Sequence, residues 1–84
     1  MVKQTGVPKT LMAGFTPTTD LERGQQFKDW LRHIKQWSYW DFVKATGFGY
    51  QTMIKWTQGK IPRPGTLELM KIKIPECPIL KWKP

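Results

Sequence analysis

The sequence holds a single cysteine, Cys77, and a single histidine, His33, among 84 residues. One cysteine cannot close an internal disulfide, and no Cys/His cluster offers a zinc site. Carboxylates are scarce as well: six Asp/Glu stand against fourteen Lys/Arg, scattered without metal-ligand spacing. His33 reads as a surface residue beside an apolar stripe, and Cys77 has no histidine near it in sequence. Gly47-Phe48-Gly49 lacks the further glycine and the strand context of a phosphate-binding loop. These absences speak against an enzyme, and against a cofactor, a metal or a small-molecule substrate. No apolar run approaches the ~20 residues needed to span a bilayer. The segment Met1-Val2-Lys3-Gln4-Thr5-Gly6 has no apolar signal-peptide core. The expected setting is reducing and cytoplasmic, with no membrane partner.

What is abundant is positive charge. The formal net charge is +8. A small domain with that balance often binds a polyanion, usually nucleic acid; an acidic protein or a membrane surface is the other reading of charge alone. Five Trp and four Phe offer large apolar surfaces from few residues, which suits one modest core in a chain of this length.

Along the chain, residues 1–18 carry Gly6, Pro8, Gly14 and Pro17 without lasting periodicity, and read as an arm, loose or docked. Thr19-Asp20-Leu21-Glu22 resembles a capping box that opens a first helix. The helix buries Phe27, Trp30, Leu31, Ile34 and, at its start, Leu21. Gly24 weakens its first turns, so its firm part is expected nearer Gln25. Lys28, Arg32 and Lys35 form another stripe, either a solvated face or a track for phosphates. Ser38 is a good N-cap for a second helix, with Asp41 near the positive end and Trp37 and Phe42 placed as a hydrophobic staple. Trp40 lies off the inward stripe, exposed or a contact surface. Gly47 suits a left-handed helix end, Phe48 plugs the turn, and Gly49 is a tolerated N-cap for a third helix over about 50–58. Met53 and Trp56 face the core, and Gly59 ends that helix. Beyond it, residues 66–74 read as a short helix over 66–71 or as a hairpin with its tip at Pro64-Gly65. Pro75, Pro78 and Pro84 keep the last residues out of a helix. The divisions are an arm over 1–18, an all-α domain of about four short helices over 19–71, and an extended tail over 72–84. The tail's Ile72, Ile74, Ile79, Leu80 and Trp82 are more apolar than a free tail needs. They form a dimer contact or complete the monomer core.

The run from Ser38 to Met70, "SYWDFVKATGFGYQTMIKWTQGKIPRPGTLELM", resembles the Cro and repressor-type helix-turn-helix domains of phages and bacteria. With the preceding helix the likeness covers roughly residues 25–71. It is carried by Ser38, Phe42, Val43, Gly47, Phe48, Met53, Gly59-Lys60 and the prolines that follow. The chain departs from the family where Val43 replaces a usual alanine, Thr46 a usual aliphatic and Gly49 a usual Ser or Thr. The resemblance implies a double-stranded DNA partner and a reading helix, 50–58, in the major groove. Carried over, Tyr50, Gln51, Ile54 and Lys55 are the base-reading positions. Gln51 suits adenine N6/N7, Lys55 a guanine or a phosphate, and Tyr50 a thymine methyl or a phosphate. Ile54 reads as core, as a thymine contact or as a dimer seam. Ser38, Gly49, Thr52, Gln58, Lys60 and Arg63 are the backbone positions. They set the register of the protein on the duplex and do not read sequence. The implied protein is a homodimeric transcription regulator, a repressor of phage or mobile-element type, working in a bacterial cytoplasm. Two rivals remain. One is a module that clasps an acidic protein through its basic tail, Trp40 and Trp82; the other is a non-specific or single-strand nucleic-acid binder using aromatic platforms.

Overall fold

The computed structural model describes residues 7–83, and among them every regular element is helical. A short 3-10 turn at Lys9–Leu11 precedes helix α1, Asp20–Asp29, which continues into a widened π turn over Trp30–Lys35. Then come α2 (Tyr39–Thr46), α3 (Tyr50–Thr57), α4 (Pro64–Lys73) and a closing 3-10 turn at Pro78–Lys81. No helix among the described residues is long and apolar enough to cross a membrane. The expectations for Met1–Gly6 and Pro84 lie outside the described residues.

The core is built around Phe27. Its ring meets Phe42 edge-on at 5.3 Å, Trp56 at 6.4 Å and Trp82 at 6.5 Å, and stacks with Trp30 at 6.3 Å. Edge-to-face packing lets a few aromatic residues fill a small core without repulsion between ring faces. Met53 and Met70 complete it from α3 and α4.

The inner face of α1 differs from the expected stripe. It consists of Arg23, Gly24, Phe27, Trp30 and Leu31. Leu21 is 80% exposed because six residues before Phe27 is about two-thirds of a turn away from its face. Ile34 is 57% exposed for another reason: the π turn carries an extra residue per hydrogen-bonded ring, so the 3.6 periodicity slips just there. Gly24 does not delay the helix, which starts at Asp20. Its role is close approach, since a Cβ there would run into the Thr57 carbonyl at the end of α3.

Arg23, buried beside Gly24, fastens the same crossing. Its Nε donates to the Gly59 carbonyl at 2.9 Å, Nη1 to the Lys83 carbonyl at 3.4 Å, and Nη2 pairs with Asp20. The N-cap of α1 is Thr19, whose hydroxyl accepts from the Glu22 N–H at 3.1 Å. The Glu22 carboxylate, however, accepts from the N–H and hydroxyl of Thr18, one residue earlier than a capping box requires.

The last residues are part of the core. Ile74, Cys77, Ile79 and Trp82 are buried, and the Trp82 indole donates to the Gln26 side chain at 2.7 Å. Of the two readings for the tail, core completion is the one observed for Ile74, Ile79 and Trp82, while Ile72 is exposed. The described part of the arm is docked: the Thr10 hydroxyl donates to Asp29 at 2.5 Å, and Gln26 donates to the Thr10 carbonyl at 3.0 Å. Pro64-Gly65 is no hairpin tip. Pro64 is the first residue of α4, where its missing N–H costs nothing and its fixed φ favours the helix.

Candidate nucleic-acid interface

The stretch from Ser38 to Thr57 positions the site. Ser38 and Asp41 form a reciprocal capping box: the Ser38 N–H donates to the Asp41 carboxylate at 2.9 Å, and the Asp41 N–H donates to the Ser38 hydroxyl at 3.2 Å. These bonds hold the Asp41 carboxyl below the usual aspartate range, the Ser38 backbone N–H contributing most. Trp37 packs against Phe42 at 6.3 Å as the staple requires. Helix α2 ends on Gly47 at φ 79°, a left-handed conformation that a side chain would strain. Phe48 then turns inward onto Phe42 and Trp56, at 6.4 and 5.1 Å. Thr46, unusual on an apolar seam, is buried with its hydroxyl bonded on both sides. It donates to the Phe42 carbonyl at 2.8 Å and accepts from the Phe48 N–H at 3.3 Å, so its burial carries no unpaired polar group.

Helix α3 is therefore held through Met53 and Trp56, both buried, and its outer face is free. Gln51, Lys55 and Gln58 recur along one outward stripe with Thr52 beside it, all exposed. Their side chains have no hydrogen-bond or ion-pair partner among the described residues. Ile54 is half-buried against the core, so its structural role is observed and little of it is left for a ligand. Tyr50, also half-buried, is not a free side chain: its ring stacks on the exposed Trp40 at 4.5 Å and lies 6.5 Å from Tyr39. No feature of the sequence beyond Trp40 lying off its helix stripe pointed to that stack.

After α3, buried Pro62 anchors the chain and Lys60 and Arg63 are exposed on either side of it. Thr52 and Lys55 of α3, Lys60 and Arg63 of the turn, and Thr66 of α4 line one cleft of about 350 Å³. The first helical turns of α3 and α4 have no side-chain cap, whereas α1 and α2 are capped by Thr19 and Ser38. Uncapped N–H groups at a positive helix end suit an anion. Thus four expected positions, Thr52, Lys55, Lys60 and Arg63, are brought together, and Gln51 and Gln58 lie on the same helix. Gly49 stands at the α3 N-terminus, and Ser38 is apart, its hydroxyl oxygen and N–H already engaged in the cap. Lys35, on the stripe read as either a solvated face or a track for phosphates, is paired with Glu76 at 2.8 Å and lies over the Trp37 ring at 4.7 Å.

Elsewhere, burial pushes the Cys77 thiol up to about 12, which leaves it protonated and a poor nucleophile at neutral pH. Among the described residues no three of His, Cys, Asp and Glu gather to hold a metal. No family model, curated protein or solved structure matches this chain.

Proposed function

We propose that the protein is a sequence-specific duplex-DNA-binding regulator of transcription, a repressor of phage or mobile-element type, with α3 as its reading helix. One observation carries this reading: Thr52, Lys55, Lys60 and Arg63 converge on one cleft beside an outward polar stripe of α3, without protein partners among the described residues. Exposed cations gathered around the turn between α3 and α4, in a chain of net charge +8, fit a phosphate backbone. In this reading Gln51 and Lys55 reach base edges, and Tyr50, steadied by Trp40, lies against a methyl or a phosphate. Gly49, Thr52, Gln58, Lys60 and Arg63 set the position on the backbone, joined by the cap region at Ser38.

A motif of this size reads few base pairs, so the working species is a homodimer with reading helices about 34 Å apart. Most of the tail's apolar residues are spent in the monomer core. Among the exposed apolar residues, Leu69 and Ile72 stand three residues apart on α4 and share a face. The acidic-protein rival loses one of its anchors, because Trp82 is buried. The single-strand rival keeps the Trp40–Tyr50 stack as a platform for a base. Selection of bound duplexes from a random pool, followed by competition with single strands of the selected sequence, tests the reading. The expected outcome is a defined duplex site that single strands do not displace. Absence of any enriched duplex sequence, or preference for the single strand, refutes it.

A further inference from the structure

Four Lys and Arg side chains stand on α1 and its π turn: Arg23, Lys28, Arg32 and Lys35. Two are consumed by the fold. Arg23 fastens α1 to the chain after α3, and Lys35 holds Glu76. Lys28 and Arg32 are exposed and have no partner among the described residues. They stand four residues apart on one helix face, where like charges repel. Asp29 lies beside them and lines the same cleft. Its carboxylate oxygens accept from the Thr10 hydroxyl at 2.5 Å and the Gln25 amide at 2.9 Å, neutral donors that leave its charge in place. Two positive charges there therefore face one negative.

Lys28 and Arg32 border a cleft of about 340 Å³ between α1 and the start of α2, walled by Leu31 and Trp37 and closed by Ser38 and Tyr39. Tyr39 links this cleft to the reading helix, since its ring lies 6.5 Å from Tyr50, the first residue of α3. The cleft therefore adjoins the N-terminal end of α3, while Lys60 and Arg63 follow its C-terminal end.

Resting on the duplex-DNA reading above, we infer that this cleft is a second backbone site, in which Lys28 and Arg32 take a phosphate of the duplex. The guanidinium offers paired donors to phosphate oxygens, and the ammonium adds a compact charge. A phosphate there meets a local excess of one positive charge, Lys28 and Arg32 against Asp29. With one backbone anchor at each end of α3, the helix is fixed in register as well as in depth.

The test uses the full chain with Lys28→Gln and Arg32→Gln together, titrated with a random-sequence duplex over a range of salt. A control variant, Lys9→Gln with Lys81→Gln, removes the same charge from exposed positions elsewhere. The cleft variant is expected to flatten the slope of log K against log salt by about 0.9 to 1.8, with the control well below that. Its unfolding midpoint should stay at the wild-type value. Equal flattening in both variants would assign the effect to net charge and overturn the inference, as would an unchanged slope in the cleft variant. Inorganic phosphate that shifts the Lys28 and Arg32 resonances while the duplex slope stays unchanged would mark a small-anion site and likewise overturn it. A wild-type protein without salt-dependent duplex affinity would instead remove the DNA reading on which the inference rests.

Discussion

The region around α1 and the region around α3 contain the same residue types in opposite circumstances. Arg23 is buried and donates to two backbone carbonyls; Arg63 is exposed and donates to nothing among the described residues. Gln26 bridges the Trp82 indole and the Thr10 carbonyl, whereas Gln51 stands on α3 without a partner among the described residues. Thr10 is bonded to Asp29, and Thr52 lines an open cleft. Around α1 the polar side chains tie three segments into one core. Around α3 the outward side chains of Gln51, Thr52 and Lys55 make no bond within the fold among the described residues. Polar groups that the fold does not use, gathered on one face, are the part of the molecule left for a ligand.

That contrast can be broken from the α1 side first, where the largest effects are expected. Gly24→Ala should cost about 3 kcal/mol or more in chemical denaturation, because a methyl group has no room against the Thr57 carbonyl. Helix propensity alone would give the opposite sign, a gain of ~1 kcal/mol, so the sign separates close approach from helix weakening. Arg23→Ala should cost ~2–3 kcal/mol by leaving the buried Gly59 carbonyl without its charged donor. A loss well under 1 kcal/mol would mean that α1 is not fastened this way.

On the α3 side stability should hold and binding should fall. Gln51→Ala is expected to weaken the preferred duplex by ~1–3 kcal/mol and random duplexes far less, as competition titrations would show. Equal loss on both would make Gln51 a positioning residue. Lys60→Gln should weaken all duplexes alike, flattening the salt slope by about 0.9. The smallest effect concerns acid. The Lys35 ammonium, donating to the Glu76 carboxylate, holds that carboxyl below the usual glutamate range. A carboxyl depressed in the folded state contributes stability above its unfolded value, and the contribution is lost as pH falls through the folded one. Stability of wild type should therefore drop more steeply below the ordinary glutamate range than that of Lys35→Met. Parallel curves would show that the ion pair is energetically silent.

What could be read from the sequence divides along the same line. The Ser38 N-cap with Asp41 in the first turn, the Trp37–Phe42 staple, the Gly47 turn and the buried Met53 and Trp56 all depend on neighbours within a few residues, and all were legible, although the reciprocal Ser38/Asp41 box was not. The outward positions of α3 were carried over from the helix-turn-helix resemblance; Gln51, Lys55 and Gln58 are exposed, whereas Tyr50 and Ile54 are half-buried. Ile34 was misplaced because periodicity fails in a π turn, which no local residue announces. Arg23 and the fate of the tail were illegible for a different reason. Their partners, Gly59, Lys83 and Gln26, lie 36 to 60 residues away, and such pairings exist only once the chain has closed. The Trp40–Tyr50 stack belongs to the same kind, since it depends on how α3 is set against α2.

The claim that α3 and the turn after it form the ligand face is tested most directly by mapping backbone amide shifts as a selected duplex is added to the full chain. The account predicts the largest changes at Gln51, Thr52, Lys55, Gln58, Lys60 and Arg63, with Arg23, Gln26, Ile79 and Trp82 unmoved. Changes concentrated at Arg23, Gln26 and Trp82, with the α3 residues unmoved, would contradict it.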